Sequence, residues 1–441
     1  MRANLAKQDN PDARAATPLP PKLEAPGPQD ITRHVLPNGL VVLVRENHAT
    51  PSVVVEGYLP VGAVHEPAEL AGLAGFVASL LMRGTARRSF AEINETIESV
   101  GASLSFGAGR HSVGFSGQCL TEDLPLLVGI LAEILQEPAF PPEHVERVRG
   151  QKLTALQERA NDTRQMAALA FREAAYPPDH PYRLSVAGYP ETVRAITRAD
   201  ILSYYERFYS PRGGAIAIVG DVEAARAIDL LANALGAWQP AAAPVDNHVA
   251  PLPPLEGIRR RHVAMPGKTQ TDLVLGAPAL RRDDPEFLAA LLANTILGVF
   301  GMMGRLGERV REQQGLAYYS YSALDGDKGP GPWAAIAGVD PANVDRAIAS
   351  ILDEIARMGE ELAPEEEIED SKSYLTGSLP LRLETNEGVA SAILDMEWYG
   401  LGLDYLQRYP DLVRAVTAEQ IRDVVARYLR PQAYALGIAG P

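Results

Sequence analysis

Apolar and polar positions change their period several times along the chain, and each change marks an element. Ile31 to Leu36 and Leu40 to Glu46 read as β-type runs around Pro37-Asn38-Gly39. An Asn-Gly between such runs predicts a hairpin, because both residues accept positive φ. A third strand is predicted over Val53 to Leu59. Helical spacing then runs from Glu66 to Met82, and again from Phe90 to Val100, where Ser89 and Glu92 predict a capping box and Gly101 an end. Strands over Ser103 to Gly109 and Ser112 to Cys119 lead into helices over Thr121 to Gln136, Pro142 to Asn161 and Thr163 to Ala175. A helix after Thr197 and an apolar strand from Ala215 to Val219 complete this half. Elements in blocks predict an α+β fold, antiparallel-rich sheets packed with helices, rather than a doubly wound parallel sheet.

The pattern fails twice. Residues 1–29 mix Pro, Ala and charge without periodicity and read as a flexible leader; residues 239–257 are again Pro-rich and read as a linker. These breaks predict two domains, 30–238 and 258–441. The two resemble each other: Tyr189 to Gly220 lies over Tyr409 to Gly440 at a constant offset of 220, with twelve identities in 32 ungapped positions. Leu131-Ala-Glu133-Ile134 answers Leu352-Asp-Glu354-Ile355 at an offset of 221. A tandem duplication of one α+β domain is the reading. Residues that recur, such as Thr197 and Thr417 at helix starts, are structural, and function is expected where the copies differ.

Composition narrows the function classes. The chain has 441 residues, 46% hydrophobic and 22% charged, and a net charge of −15. Such a surface repels nucleic acid and anionic membrane, since both bind through Lys and Arg. The longest apolar run, Leu126 to Leu135, is short and interrupted by Glu133, and Gln8 to Pro11 stand where a signal peptide needs apolar residues. A cytoplasmic location is the expectation. One cysteine, Cys119, in an alternating segment, predicts a buried small hydrophobe and excludes an internal disulfide or cysteine cluster.

Val53 to Pro67, followed by Leu73-Ala-Gly75-Phe-Val-Ala78-Ser79-Leu-Leu-Met82-Arg-Gly84-Thr85, resembles the opening of the M16 (pitrilysin and insulinase) metallopeptidases. The Pro-Asn-Gly hairpin, the duplicated halves and the Tyr-Pro with Thr-x-x-Asp helix match that family too, from about Ile31 to Gly440. The resemblance implies two tandem domains of the M16 (LuxS/MPP-like metallohydrolase) type. In the family this segment carries His-x-x-Glu-His, two imidazoles on one helix face holding zinc and a Glu that activates water. Here the three positions are Gly75, Ala78 and Ser79. Gly and Ala have no donor, and a Ser hydroxyl is a poor substitute for imidazole. The eight histidines, His34, His48, His65, His111, His144, His180, His248 and His262, include no pair four apart, so no other helix supplies the motif. The family's third ligand is a Glu on the helix spanning Pro142 to Asn161. Glu158, the nearest downstream acid, reads as a solvated residue, and His65 as a surface or capping residue.

Gly304-Arg305 to Gly315-Leu-Ala-Tyr318-Tyr319 resembles the family's Arg/Tyr signature, and Arg311 and Tyr318 have its spacing of seven. Helix Leu306 to Gln313 is predicted to stop at Gly315 and the chain to reverse into strand Ala317 to Leu324. In the family the pair hydrogen-bonds the peptide near the scissile carbonyl. Without the family, the two read as a helix-end Arg favoured by the macrodipole and a half-buried strand Tyr. Tyr319 and Tyr321 read as packing or surface residues. Gly298, Gly301 and Gly304 resemble the glycine-rich substrate loop of the non-catalytic subunit of mitochondrial processing peptidase, or serve a turn. Ser105-Phe106 stands where catalytic members show Asn-Ala on the edge strand that pairs with substrate.

The expectation is a non-catalytic, substrate-positioning subunit of a heterodimeric zinc metallopeptidase acting on extended peptides, inactive alone. Zinc is expected on a sister subunit bearing His-x-x-Glu-His, and no metal on this chain. Two alternatives stand beside it: a scaffold like the M16-derived core subunits of respiratory complexes, and a peptidase with other metal ligands.

Overall fold

The computed structural model describes residues 25–239 and 247–441. Most of the leader expected at 1–29, and residues 240–246 of the expected linker, lie outside the described residues. In the first half β1 (Thr32–Val35) and β2 (Val41–Glu46) pair antiparallel, with Thr32 opposite Val44, as the Asn-Gly turn requires. β3 (Ser52–Leu59) follows. Helix α1 (Leu73–Leu81) is shorter than the periodicity implies, because Gly72 holds φ at 101° and breaks it from Glu66 to Ala71, which form only a short 3-10 turn. The Glu66 carboxylate reaches forward to cap α1, accepting the Gly72 and Ala74 amides at 2.9 and 2.8 Å. The apolar spacing extends upstream of α1 because Leu70 and Ala71 also pack inward.

The rest of this half is α2 (Phe90–Glu98) with the expected capping box, β4 (Ser103–Ala108), β5 (Val113–Leu120), α3 (Leu124–Gln136), α4 (Pro142–Ala160), α5 (Thr163–Ala175), α6 (Pro190–Ala195), α7 (Arg198–Phe208), β6 (Ala215–Gly220) and α8 (Ala224–Leu235). Cys119 is buried on β5, and burial pushes its thiol up to about 12. The second half comprises β7 (Arg259–Ala264), β8 (Thr271–Pro278), α9 (Phe287–Gly298), α10 (Phe300–Leu306), a π-helical segment Gly307–Gln313, β9 (Ala317–Leu324), β10 (Pro332–Val339), α11 (Val344–Glu360), α12 (Glu365–Arg382), α13 (Asn386–Tyr399), α14 (Tyr405–Arg414), α15 (Ala418–Tyr428) and β11 (Ala435–Gly440).

The two sheets run β1-β2-β6-β3-β5-β4 and β7-β11-β8-β10-β9. Without β1 the orders are the same, with β2–β6 and β7–β11 parallel and the other pairs antiparallel. The offset of 220 superposes α7 on α15 and β6 on β11, and both helices open with a capping box, Thr197 with Asp200 and Thr417 with Gln420. The offset of 221 pairs two buried carboxylates. Glu133 on α3 accepts from Arg88 and Thr85; Glu354 on α11 accepts from Arg305, Arg309 and Arg357. A carboxylate buried beside its helix sheet must be paired with cations, so the Glu recurs for a structural reason.

Each half gives one helix to the other. Residues alternating along β2, β3 and β6 divide between two cores: Val42, Val44, Val53, Val55, Ile216 and Ile218 join the first-half helices, while Leu43, Val54, Ala215, Ala217 and Val219 join the second-half core. The second set packs under α13, which lies on β6 and β3. Reciprocally, Ala167, Phe171 and Ala175 of α5 pack on Val274, Ala334, Ala435 and Ala439 of the second sheet. Polar contacts close the same seam: Tyr176 Oη donates to the Pro330 carbonyl, the Gly329 amide donates to Tyr182 Oη, both at 3.0 Å, and Arg33 holds Glu397 through two bonds of 2.8 Å.

Candidate functional site

Helix α1 carries the three positions that the resemblance equates with a metal motif. Leu73, Phe76, Val77, Leu80 and Leu81 are buried in the first-half core, and Ala78 is buried too. Gly75 is half-buried and Ser79 exposed, and α1 runs beside the edge strand β4. Ser79 Oγ donates to the Gly75 carbonyl at 2.7 Å, so its hydroxyl is engaged within its own helix.

Across from Gly75, α4 presents a lysine. A Cβ on Gly75 would lie 3.5 Å from Lys152 Nζ, which stands 5.8 Å from the centroid of the Phe76 ring. Burial pushes the Lys152 amine down to about 8, opposed by the negative charge of Glu66. Burial likewise pushes the Glu66 carboxyl up to about 7, against the lowering effect of the amides it accepts. Glu158 is exposed on α4, and His65 receives the Gly62 amide on Nδ1 at 3.1 Å with its ring against Phe208. Among the described residues no three His, Cys, Asp or Glu side chains cluster in a way that could hold a metal ion. A zinc site needs converging lone pairs. Two positions here have no donor atom, the third offers only a hydroxyl held to its own helix, and the Lys152 amine stands beside Gly75, so these residues do not fit zinc.

In the second half the expected reversal is present with a different helix type. Gly301 to Gly304 leave helical geometry inside α10, and the following turn, Gly307–Gln313, is π-helical rather than α-helical. Gly315 sits at φ 61°, where a residue with Cβ is strained, and its amide and that of Leu316 bond the Arg311 and Val310 carbonyls at 2.9 Å. β9 begins with a bulge: Ala317 faces Val339 and Tyr319 faces Gly338, leaving Tyr318 without a partner across the ladder. Its side chain is 79% exposed. Arg311 is half-buried, its Nε 3.5 Å from the Glu312 carboxylate. Among the described residues no hydrogen bond or ring contact joins Arg311 to Tyr318; the exposed Tyr318 and the half-buried Arg311 flank the Gly315 turn.

A polar network beside Tyr318 was not expected from the sequence. Tyr319 Oη donates to Asp272, which also accepts from Thr163 Oγ1 and, at 3.1 Å, from Gln270 Nε2. Arg164 donates to Tyr321 Oη and lies 5.1 and 5.4 Å from the Tyr319 and Tyr321 rings. Burial, with Asp272 adding to it, holds the Tyr319 phenol above its ordinary range. Tyr319 and Tyr321 are therefore more than packing residues: they tie the start of α5 to β9. The sequence signal was Asp272 itself, a lone acid opening the apolar strand Leu273-Val274-Leu275.

The four sheet edges differ. β1 and β7 carry Arg33, His34, Arg259, Arg260, Arg261 and His262, charges that discourage strand addition. β4 and β9 carry no charge. Phe106 on β4 turns toward Phe115, with ring centroids 5.8 Å apart. Of the glycine loop, Phe300 and Met302 are exposed above a cavity of about 320 Å³ rimmed by Arg305, Glu308, Glu312 and Glu367. No single helix among the described residues is long and apolar enough to cross a membrane.

Two family models match the chain. Residues 41–186 match the model described as Insulinase (Peptidase family M16), and residues 195–375 that described as Peptidase M16 inactive domain. An uncharacterized zinc protease of Streptomyces coelicolor is 29% identical, over 93% of this chain and 90% of that protein. Mitochondrial-processing peptidase subunit beta of Bos taurus is 24% identical over 92% of this chain and 83% of its own. Non-peptidase homolog YmxG of Helicobacter pylori is 22% identical over 87% and 88%. In fold, the crystal structure of a peptidase M16 inactive domain from Pseudomonas fluorescens matches 93% of this chain and 98% of its own, with a TM-score of 0.87 and 24% identity.

Proposed function

Because this chain belongs to peptidase family M16, we propose that it is a non-catalytic, substrate-positioning subunit of a two-chain zinc peptidase. The observation that carries this reading is an asymmetry between its halves. Where relatives would bind metal, α1 offers Gly75, Ala78 and Ser79 with an ammonium opposite. In the other half, Tyr318 projects into solvent from a bulge and Arg311 stands across the turn. This chain carries no metal; zinc is supplied by a sister chain with His-x-x-Glu-His.

The substrate is an extended peptide. The uncharged edges β4 and β9 accept a strand through main-chain bonds, which recognise backbone rather than sequence. Arg311 and Tyr318 donate to a carbonyl oxygen of that strand. Donors that flank a tight turn stabilise charge developing on such an oxygen once the bound strand orders their side chains. Among the described residues no metal site forms that would activate water in this arrangement, and on this reading the chain does not cleave peptide alone. Mixing it with its zinc-bearing sister tests the proposal: the mixture cleaves an unfolded peptide faster than either chain. Equal rates for the sister alone and the mixture would instead favour a scaffold.

A further inference from the structure

The gap that Gly75 leaves on α1 is met by a side chain of α4. Lys152 belongs to the inward stripe of α4, in step with Val145, Val148 and Leu156, which are buried. A Lys at such a position buries its stem and brings its charge to the nearest gap, and the nearest gap is the missing side chain of Gly75. Nζ lies 3.5 Å from the place a Cβ would take there and makes no hydrogen bond or ion pair among the described residues. An imidazole at this position would need the space Nζ occupies. The carbonyl of Val186 stands on the same side, 3.7 Å from that Cβ position. Across the start of α1, Glu66 supplies a counter-charge, anchored by two amides.

We propose that Lys152 is a tethered cation that fills the place of the missing imidazole: it supplies a positive charge between α1 and α4 where relatives hold a metal ion, and it bars zinc from the site. The inference rests on equating α1 with the metal-binding helix and not on the subunit reading, so its test reads zinc and stability rather than peptidase activity.

Two experiments on the full chain decide it. The first restores the motif as Gly75→His, Ala78→Glu and Ser79→His, with Lys152 kept, as Lys152→Met, which removes only the charge, and as Lys152→Glu, which also adds a ligand, and measures zinc by calorimetry and metal analysis; the comparison with Lys152→Met decides the role of the charge. The expected result is one zinc per chain only when Lys152 is replaced, with affinity at least about 100-fold above the variant that keeps it, since a cation so close opposes a dication. Equal affinity with and without Lys152, or no zinc in a folded variant that lacks it, overturns the inference.

The second experiment makes single changes that the helix tolerates. Gly75→Glu places a carboxylate against the ammonium, and Gly75→Gln controls for helix propensity and volume. Gly75→Glu is expected to melt about 2 °C or more above Gly75→Gln, an advantage that disappears with Lys152→Met. An advantage that survives Lys152→Met, or none at all, contradicts the placement of the amine.

Discussion

Gly437 at the middle of β11 lies so close to Phe171 of α5 that a Cβ on it would collide with the Phe171 amide and the Ala167 carbonyl. The helix belongs to the first half and the strand to the second, so this one contact records how tightly the halves interlock. Gly437 is needed there for its size, since backbone meets backbone.

Gly437→Ala is expected to destabilise the whole chain by about 1–3 kcal/mol, because neither backbone can yield without moving α5 or the sheet. Phe171→Ala, which leaves a cavity on the same seam, is expected to cost about 3–5 kcal/mol. Denaturant unfolding monitored by fluorescence and circular dichroism checks both. If the halves unfolded independently, two transitions would separate; the exchanged helices predict one.

Asp272 collects Tyr319, Thr163 and Gln270 in a buried position. Tyr319→Phe and Thr163→Val each remove a donor from that carboxylate and are expected to cost about 1–3 kcal/mol. Because they share one acceptor, the double variant should depart from the sum of the singles, which a double-mutant cycle measures. Additive values would mean that the two hydroxyls do not serve the same group.

Glu66 and Lys152 predict a pH profile. Burial raises the Glu66 carboxyl from 4.5 to about 7, so the native chain binds more protons than the unfolded chain between those values. Its contribution is full below pH 4.5 and is lost as pH rises through 7. Burial lowers the Lys152 amine from 10.5 to about 8. Here the unfolded chain binds more protons, so stability is regained as pH rises from 8 toward 10.5. The pair's own contribution, read as the thermal midpoint of the natural chain minus that of the double variant Glu66→Gln, Lys152→Met, is expected to pass through a minimum near pH 7 to 8. Glu66→Gln should flatten the acidic limb and Lys152→Met the alkaline one.

Much of the fold is legible in the sequence because its signals are local. The Asn38-Gly39 turn and the Ser89 and Thr197 capping boxes are each set by residues a few positions apart, and the repeat that superposes β6 on β11 shows directly as identities at the constant offset of 220. Periodicity places the start of α1 too early because it reports burial, and Leu70 is covered whether or not the backbone is helical; Gly72 is the stronger signal. The exchange of α5 and α13 was not legible. A buried stripe says that a helix packs, and nothing in Ala167, Phe171 and Ala175 says whose sheet they cover. At the candidate site, the absence of donors at Gly75 and Ala78 is a matter of composition and reads directly. Lys152 was readable too, as a charge in phase with Val148 and Leu156, whereas the bulge that frees Tyr318 depends on the register of β9 against β10.

The central claim is that this chain positions a peptide which another chain cleaves. Its most direct measurement is the rate at which the zinc-bearing sister cleaves an unfolded peptide with this chain in its natural form, as Arg311→Ala, and as Tyr318→Phe. The account predicts a gain with the natural chain and a loss of about 10- to 1,000-fold in kcat with either variant, while binding between the chains is unchanged. A mixture that cleaves no faster than the sister alone, or variants that work as well as the natural chain, would contradict it.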